Sequence, residues 1–258
     1  MKCSEIIEQL EKLSPVQYAC EWDHVGLMVG ERTKEIYRIL VTLDVDDAAV
    51  EQAIAQKADM IVSHHPLIFG GIQSVTMETL TGRRILKLIQ NGIVCYSMHT
   101  NFDIVGGMAQ LAADALGFEN ARPLEITSAD GEGLGRIADV KQTATVADWA
   151  ERTKKAFHLP NVKVFGDLSW KVQKAAVYPG SGKDGIDCAI AEQADLIITG
   201  DIGHHAGIDA AAWHVAVIDA GHYGIEHIFI AFMADYLRKN FERVEVCQMP
   251  IVQPFVVI

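Results

Sequence analysis

The chain has 258 residues, half of them apolar and 22% charged, which suits one large or two ordinary globular domains with real cores. Its formal net charge of -12 argues against sequence-independent nucleic-acid binding, which needs Lys and Arg set against phosphates. No apolar run approaches the roughly 18–20 residues that span a bilayer, and Met1–Glu5 opens no signal-peptide apolar stretch, so a cytoplasmic protein without membrane contact is expected.

In chain order, Ile6, Ile7, Leu10 and Leu13 share one face of a helix over 4–13, with Ser4 as its expected cap. Arg38–Asp44 reads as a buried strand, Asp46–Gln56 as a helix and Asp59–Ser63 as the next strand. Thr79–Asn91 reads as a helix closed by Gly92, Ile93–Ser97 as a strand, and Gly107–Leu116 as a helix. Then comes a stretch of different character, 119–170, with a strand at Arg136–Val140, a helix over Thr145–Phe157 and a strand at Val162–Phe165. The five cysteines are widely spaced with no CxxC, and are read as reduced thiols.

The second half repeats the first. Residues 53–65 align without gaps on 189–201, and six of those thirteen positions are identical. The preceding strand, Leu40–Asp44, recurs as Ala176–Gly180, and the following one as Val215–Asp219. Alternating strands and helices predict the α/β class: two related lobes with mostly parallel sheets. The segments are taken as 1–118 for the first lobe, 119–170 for a connecting part and 171–258 for the second lobe. Pro250–Ile258 is apolar enough for a buried edge or an interface.

Polar, ligand-type residues gather where strands end. Asp44 follows the first strand, His64 and His65 the second, and His99 and Asp103 the third. In the second lobe Asp201, His204 and His205 follow one strand, and Asp219, His222 and Glu226 the next. Ligands of open α/β sheets bind outside the carboxyl ends of strands. Two adjacent imidazoles cannot share a face of an extended strand, but they can converge where Pro66 turns the chain. His222 and Glu226 are four apart at a helix start and so lie on one face. His99 and Asp103 have the same spacing.

Four imidazoles and two carboxylates exceed the four ligands of a tetrahedral zinc and suit two ions about 3.5–4 Å apart. Nitrogen and oxygen ligands without thiolate admit iron, manganese, zinc or cobalt. His24, His158, His214 and His227 read as structural or solvated. His204 and His205 read as a third ligand group or a phosphate contact. Gly180-Ser-Gly-Lys183 has a phosphate-loop flavour but lacks the GxxxxGK[ST] spacing.

Trp22-Asp23-His24-Val25-Gly26-Leu27, Ser63-His64-His65-Pro66, His99-Thr100-Asn101-Phe102-Asp103, Thr199-Gly200-Asp201 and Gly221-His222-Tyr223-Gly224-Ile225-Glu226 occur in that order. Together they resemble the bacterial GTP cyclohydrolase 1 type 2 homologs, Nif-three-like proteins, over the whole chain from near residue 4. His24 departs from the family's usual Asn. The resemblance implies a dinuclear metal centre in the cleft between the two lobes, with His64, His65, Asp103, His222 and Glu226 as ligands and Glu226 bridging. His99 then acts on the ligands or the substrate, and His99, Asp44 and His205 are candidates for moving protons. It also implies the short form of the family, without a larger inserted domain, and a toroidal homohexamer. The expected activity is metal-dependent hydrolysis of a small molecule such as a nucleotide. The family name implies GTP ring opening with release of formate. The rival expectation is a metal-binding or protein-interaction scaffold without catalysis.

Overall fold

The computed structural model describes residues 1–257. In chain order the first elements are α1 (Cys3–Leu13), β1 (Gly26–Val29), β2 (Arg38–Thr42), α2 (Asp47–Ala55), β3 (Met60–Ser63), α3 (Leu80–Gln90), β4 (Val94–Ser97) and the short α4 (Thr100–Ile104). There follow α5 (Met108–Ala115), β5 (Glu125–Ile126), β6 (Gly133–Leu134), β7 (Arg136–Thr145), α6 (Val146–Ala156) and β8 (Lys163–Phe165). The chain continues with β9 (Lys171–Ser181), α7 (Lys183–Ala191), β10 (Leu196–Gly200), α8 (His204–Ala212), β11 (Ala216–Asp219) and α9 (His222–Glu226). It closes with α10 (Ile228–Asn240) and β12 (Glu245–Gln248). Two compact units emerge, one of Met1–Gly106 with Phe229–Val252, the other of Gly107–Ile228 with the chain end from Gln253.

The first unit's sheet has the order β1-β4-β3-β2-β12, with only β1 antiparallel to its neighbour. β3 and β4 are buried along their whole length, as continuous apolar runs in parallel sheets are. One face packs Leu40, Ile61 and Cys95 against Val50, Ala53, Ile85 and Leu88 of α2 and α3. Asp46 and Thr79 cap those helices by accepting the N–H of Ala49 and Gly82. The expected Ser4 cap is corrected: α1 begins one residue earlier, and the Glu5 carboxylate instead accepts the Lys2 N–H at 2.7 Å.

The second unit's sheet has the order β7-β9-β10-β11-β8, parallel at its centre and antiparallel at both edges. α6 lays Trp149, buried with Val146, on Val172, Val177 and Ile198. Thr145 and Asp148 cap α6 reciprocally. The stretch 119–170 therefore supplies β7 and β8, the two edge strands of this sheet.

The repeat holds down to single hydrogen bonds. The Asp59 carboxylate accepts the N–H groups of Tyr37 and Arg38 at 2.8 and 3.0 Å, and the Asp195 carboxylate accepts those of Gln173 and Lys174 at 2.7 and 2.9 Å. Just before these aspartates, Lys57 and Gln193 take the left-handed conformation, with φ of 54° and 55°. Both devices end the helix and start the strand at matching positions. No disulfide links the five cysteines among the described residues. Among the same residues no helix is long and apolar enough to cross a membrane. Beyond β12, Ile251, Val252, Phe255, Val256 and Val257 are exposed, and Ile258 lies outside the described residues.

Candidate metal centre

In the first unit the buried run of β3 delivers His64 and His65 with their backbone still bonded to the neighbouring β2 segment. His64 N–H donates to Thr42 O, and His65 N–H to Leu43 O at 2.9 Å. Their rings nevertheless converge, with centroids 5.0 Å apart. His64 is fully buried, and its ring packs on Phe102 and Phe229. Its Nδ1 donates to the Met98 carbonyl at 2.7 Å, and its Nε2 lies 3.5 Å from the Asp103 carboxylate. His65 Nδ1 donates to Asp44 at 2.8 Å, and His99 Nδ1 to Asp23 at 3.0 Å. One nitrogen from each of His64, His65 and His99 lies within 4.8 Å of the other two.

Asp23 is the partner that sequence reasoning missed. Burial alone would raise its carboxyl pKa, but hydrogen bonds from His99 and Thr100 outweigh burial and hold it at about 2. It stays a carboxylate and keeps His99 oriented. The signal lay in the Trp22-Asp23-His24 motif, but its partner stands 76 residues away.

In the second unit His222 and Glu226 sit four apart on α9, as their spacing predicts, with Nε2 2.9 Å from the carboxylate. His222 Nδ1 donates to Asp201 at 3.2 Å. Glu226 is 3% exposed. Two glycines make this arrangement possible. At Gly180, where φ is +79°, a Cβ would stand 2.7 Å from Glu226 Oε1. At Gly200 it would collide with the His222 backbone and stand 2.6 Å from the Gly221 carbonyl carbon.

Asp219, expected among the ligand-type groups, fastens loops instead. Its carboxylate accepts the N–H groups of Asp201, Ile202 and Gly221 and pairs with Lys163. His204 and His205 begin α8, exposed and ring to ring at 5.3 Å. His227 is buried and bonds the Phe157 carbonyl through Nε2; burial pushes its pKa below the ordinary imidazole range, which keeps it neutral.

The fit to a metal rests on the Nδ1 atoms. Those of His64, His65 and His99 face carboxylate or carbonyl oxygens and so carry the proton, whereas His222 faces a carboxylate at each nitrogen, Asp201 at Nδ1 and Glu226 at Nε2. In the first three that tautomer leaves Nε2 as a lone pair, the orientation in which a histidine ligates metal with its other nitrogen held by an outer partner. The imidazoles and carboxylates present therefore suit divalent ions with mixed nitrogen and oxygen ligands.

The fold and these side chains define an α/β protein of two repeated units carrying imidazole and carboxylate sets able to bind metal. The chain belongs to the Duf34/NIF3 (NGG1p interacting factor 3) family, whose profile matches residues 1–254. It is 37% identical over 244 residues to a protein of Clostridium perfringens named GTP cyclohydrolase 1 type 2 homolog, covering 94% of this chain and 93% of that one. A protein of the same name from Lactococcus lactis is 36% identical, over 93% and 92%. Among solved structures, reduced HcgD from Methanocaldococcus jannaschii is similar at 32% identity and a TM-score of 0.85, over 96% and 97% of the two chains. A Bacillus cereus protein related to NIF3 shares the fold with a TM-score of 0.91 at 23% identity, over 100% and 99%.

Proposed function

We propose that this protein is a metal-dependent hydrolase that binds two divalent ions, iron, zinc, manganese or cobalt. His64, His65 and Asp103 of the first unit and His222 and Glu226 of the second would hold them. The observation that carries this reading is the commitment of every Nδ1 in the set to an oxygen acceptor. When bound, such ions supply an electrophilic centre and acidify a water toward neutrality. The rest falls to the chain's own residues. Asp44 holds His65 in the ligating tautomer, and Asp201 faces His222 Nδ1. His99, fixed by Asp23, is placed to take and return a proton at Nε2. His205, exposed on α8, exchanges protons with solvent.

The substrate we propose is nucleotide-like, since relatives carry the name GTP cyclohydrolase 1 type 2 homolog. A cytoplasmic toroidal homohexamer accompanies this reading. The exposed apolar side chains Ile251, Val252, Phe255, Val256 and Val257 support an assembly, and equally support the rival reading of an interaction scaffold. Elemental analysis with an activity screen separates the two. About two ions per chain are expected, with loss of both metal and GTP turnover in His65→Ala. A fully loaded protein that leaves GTP and generic phosphoesters unchanged across neutral pH would sink the hydrolase reading.

A further inference from the structure

The turn at Cys20–Asp23 is fastened to α4 from both of its ends. The Cys20 N–H donates to Thr100 Oγ1 at 2.9 Å, and the Asp23 N–H closes the turn on the Cys20 carbonyl at 2.9 Å. The Asp23 carboxylate then accepts from His99 Nδ1, from the Thr100 N–H and from Thr100 Oγ1 at 3.0, 3.1 and 2.6 Å. Trp22 stands between these anchors, yet it is 66% exposed, and its ring lies 6.0 Å from that of His99 at 76°. A second ring meets the same imidazole. Phe69 is 61% exposed, with its ring 5.7 Å from His99 at 87°. It leaves the fold directly after Leu67, which is buried in the core, and Ile68, which packs partly against it.

A single exposed aromatic residue needs no explanation. Two large rings left in water on one imidazole are a different matter, because that imidazole is held rigid by a carboxylate and stands within the His64–His65–His99 set. Folding alone would gain by covering them. Trp and Phe give large, stiff contact surfaces with few torsions to freeze, and a turn pinned at both ends lowers the ordering cost further.

We propose that Trp22 and Phe69 form a stacking site for the planar nitrogen heterocycle of the substrate, holding that ring beside His99. This rests on the hydrolase reading above and specifies its substrate class. Stacking of this kind tolerates any base with a π-face, and its removal by alanine costs on the order of 5- to 150-fold in affinity per ring. The two rings are thus specificity residues, and the imidazoles and carboxylates serve the ions.

The test is calorimetric titration of the metal-loaded full chain with guanosine 5′-monophosphate and with ribose 5-phosphate, which lacks the ring. Wild type is expected to prefer the nucleotide. Trp22→Ala and Phe69→Ala are each expected to weaken nucleotide binding at least about fivefold and to leave ribose 5-phosphate binding and metal content unchanged. Trp22→Phe is expected to restore most of the loss. Wild type without a preference for the nucleotide overturns the proposal, as does either alanine variant that binds it normally. So do variants that shift only the sedimentation coefficient, since the rings would then be an interface between copies. Repeating the titration after chelation separates the two readings: a preference that survives upholds stacking even where the metal-dependent reading fails.

Discussion

At the end of the second parallel strand the first unit places His64 and His65, whereas the second places Gly200 and Asp201. At the end of the first strand stand Asp44 and, correspondingly, Gly180. These differences compensate one another within the second unit. Gly200 lets the start of α9 close onto the strand end, so the imidazole arrives one strand later, as His222. Gly180 leaves room for Glu226 beside it. Asp201, at the repeat position of His65, becomes the acceptor for His222 Nδ1, just as Asp44 serves His65. One βαβ frame thus yields two ways to present an oriented imidazole. Which way is used depends on whether the strand end carries a side chain or must admit a helix.

The comparison can be broken most forcefully at Gly200. Gly200→His would give the second unit the first unit's residue and is expected to cost about 3 kcal/mol or more, because the clash is with backbone. A urea midpoint close to wild type would show that α9 does not need the glycine. A smaller effect is expected from the outer acceptors. Asp44→Ala and Asp201→Ala should each weaken metal affinity about 10- to 100-fold in a chelator competition, with little change in melting temperature. Equal losses would say that both units orient their imidazoles alike; an unchanged affinity in either would break the parallel. The smallest effect concerns the shared frame. Asp59→Ala and Asp195→Ala each remove two charge-assisted backbone bonds and should cost about 1–2 kcal/mol of unfolding free energy. Values differing by more than that range would show that the two frames are not energetically equivalent.

Much of this was legible along the chain because it depends on neighbours. The helices read from Asp46, Thr79 and Thr145 are present, each starting one residue later because the named residue caps it. The gap-free match of 53–65 to 189–201 announced the frame. The spacing of His222 and Glu226 announced one face of a helix. Ser4 failed as a cap because Glu5 reached the Lys2 N–H first. The edges of the sheets were not legible either. β12 joins β2 from more than 200 residues away, and β1, β7 and β8 pair antiparallel. No local periodicity records which distant strand will close a sheet.

The sequence by itself determined the α/β class, the repeat, the family and the side chains able to bind metal, since each is written in periodicity or in residues close together. Only the tertiary structure decided which nitrogen of each imidazole is offered. That choice belongs to Met98, Asp44, Asp23 and Asp201, which lie as far as 76 residues from the ring they hold. The His64–His65 doublet marks two adjacent imidazoles, but which nitrogen each one offers is set only when a distant oxygen accepts the hydrogen bond from its Nδ1–H.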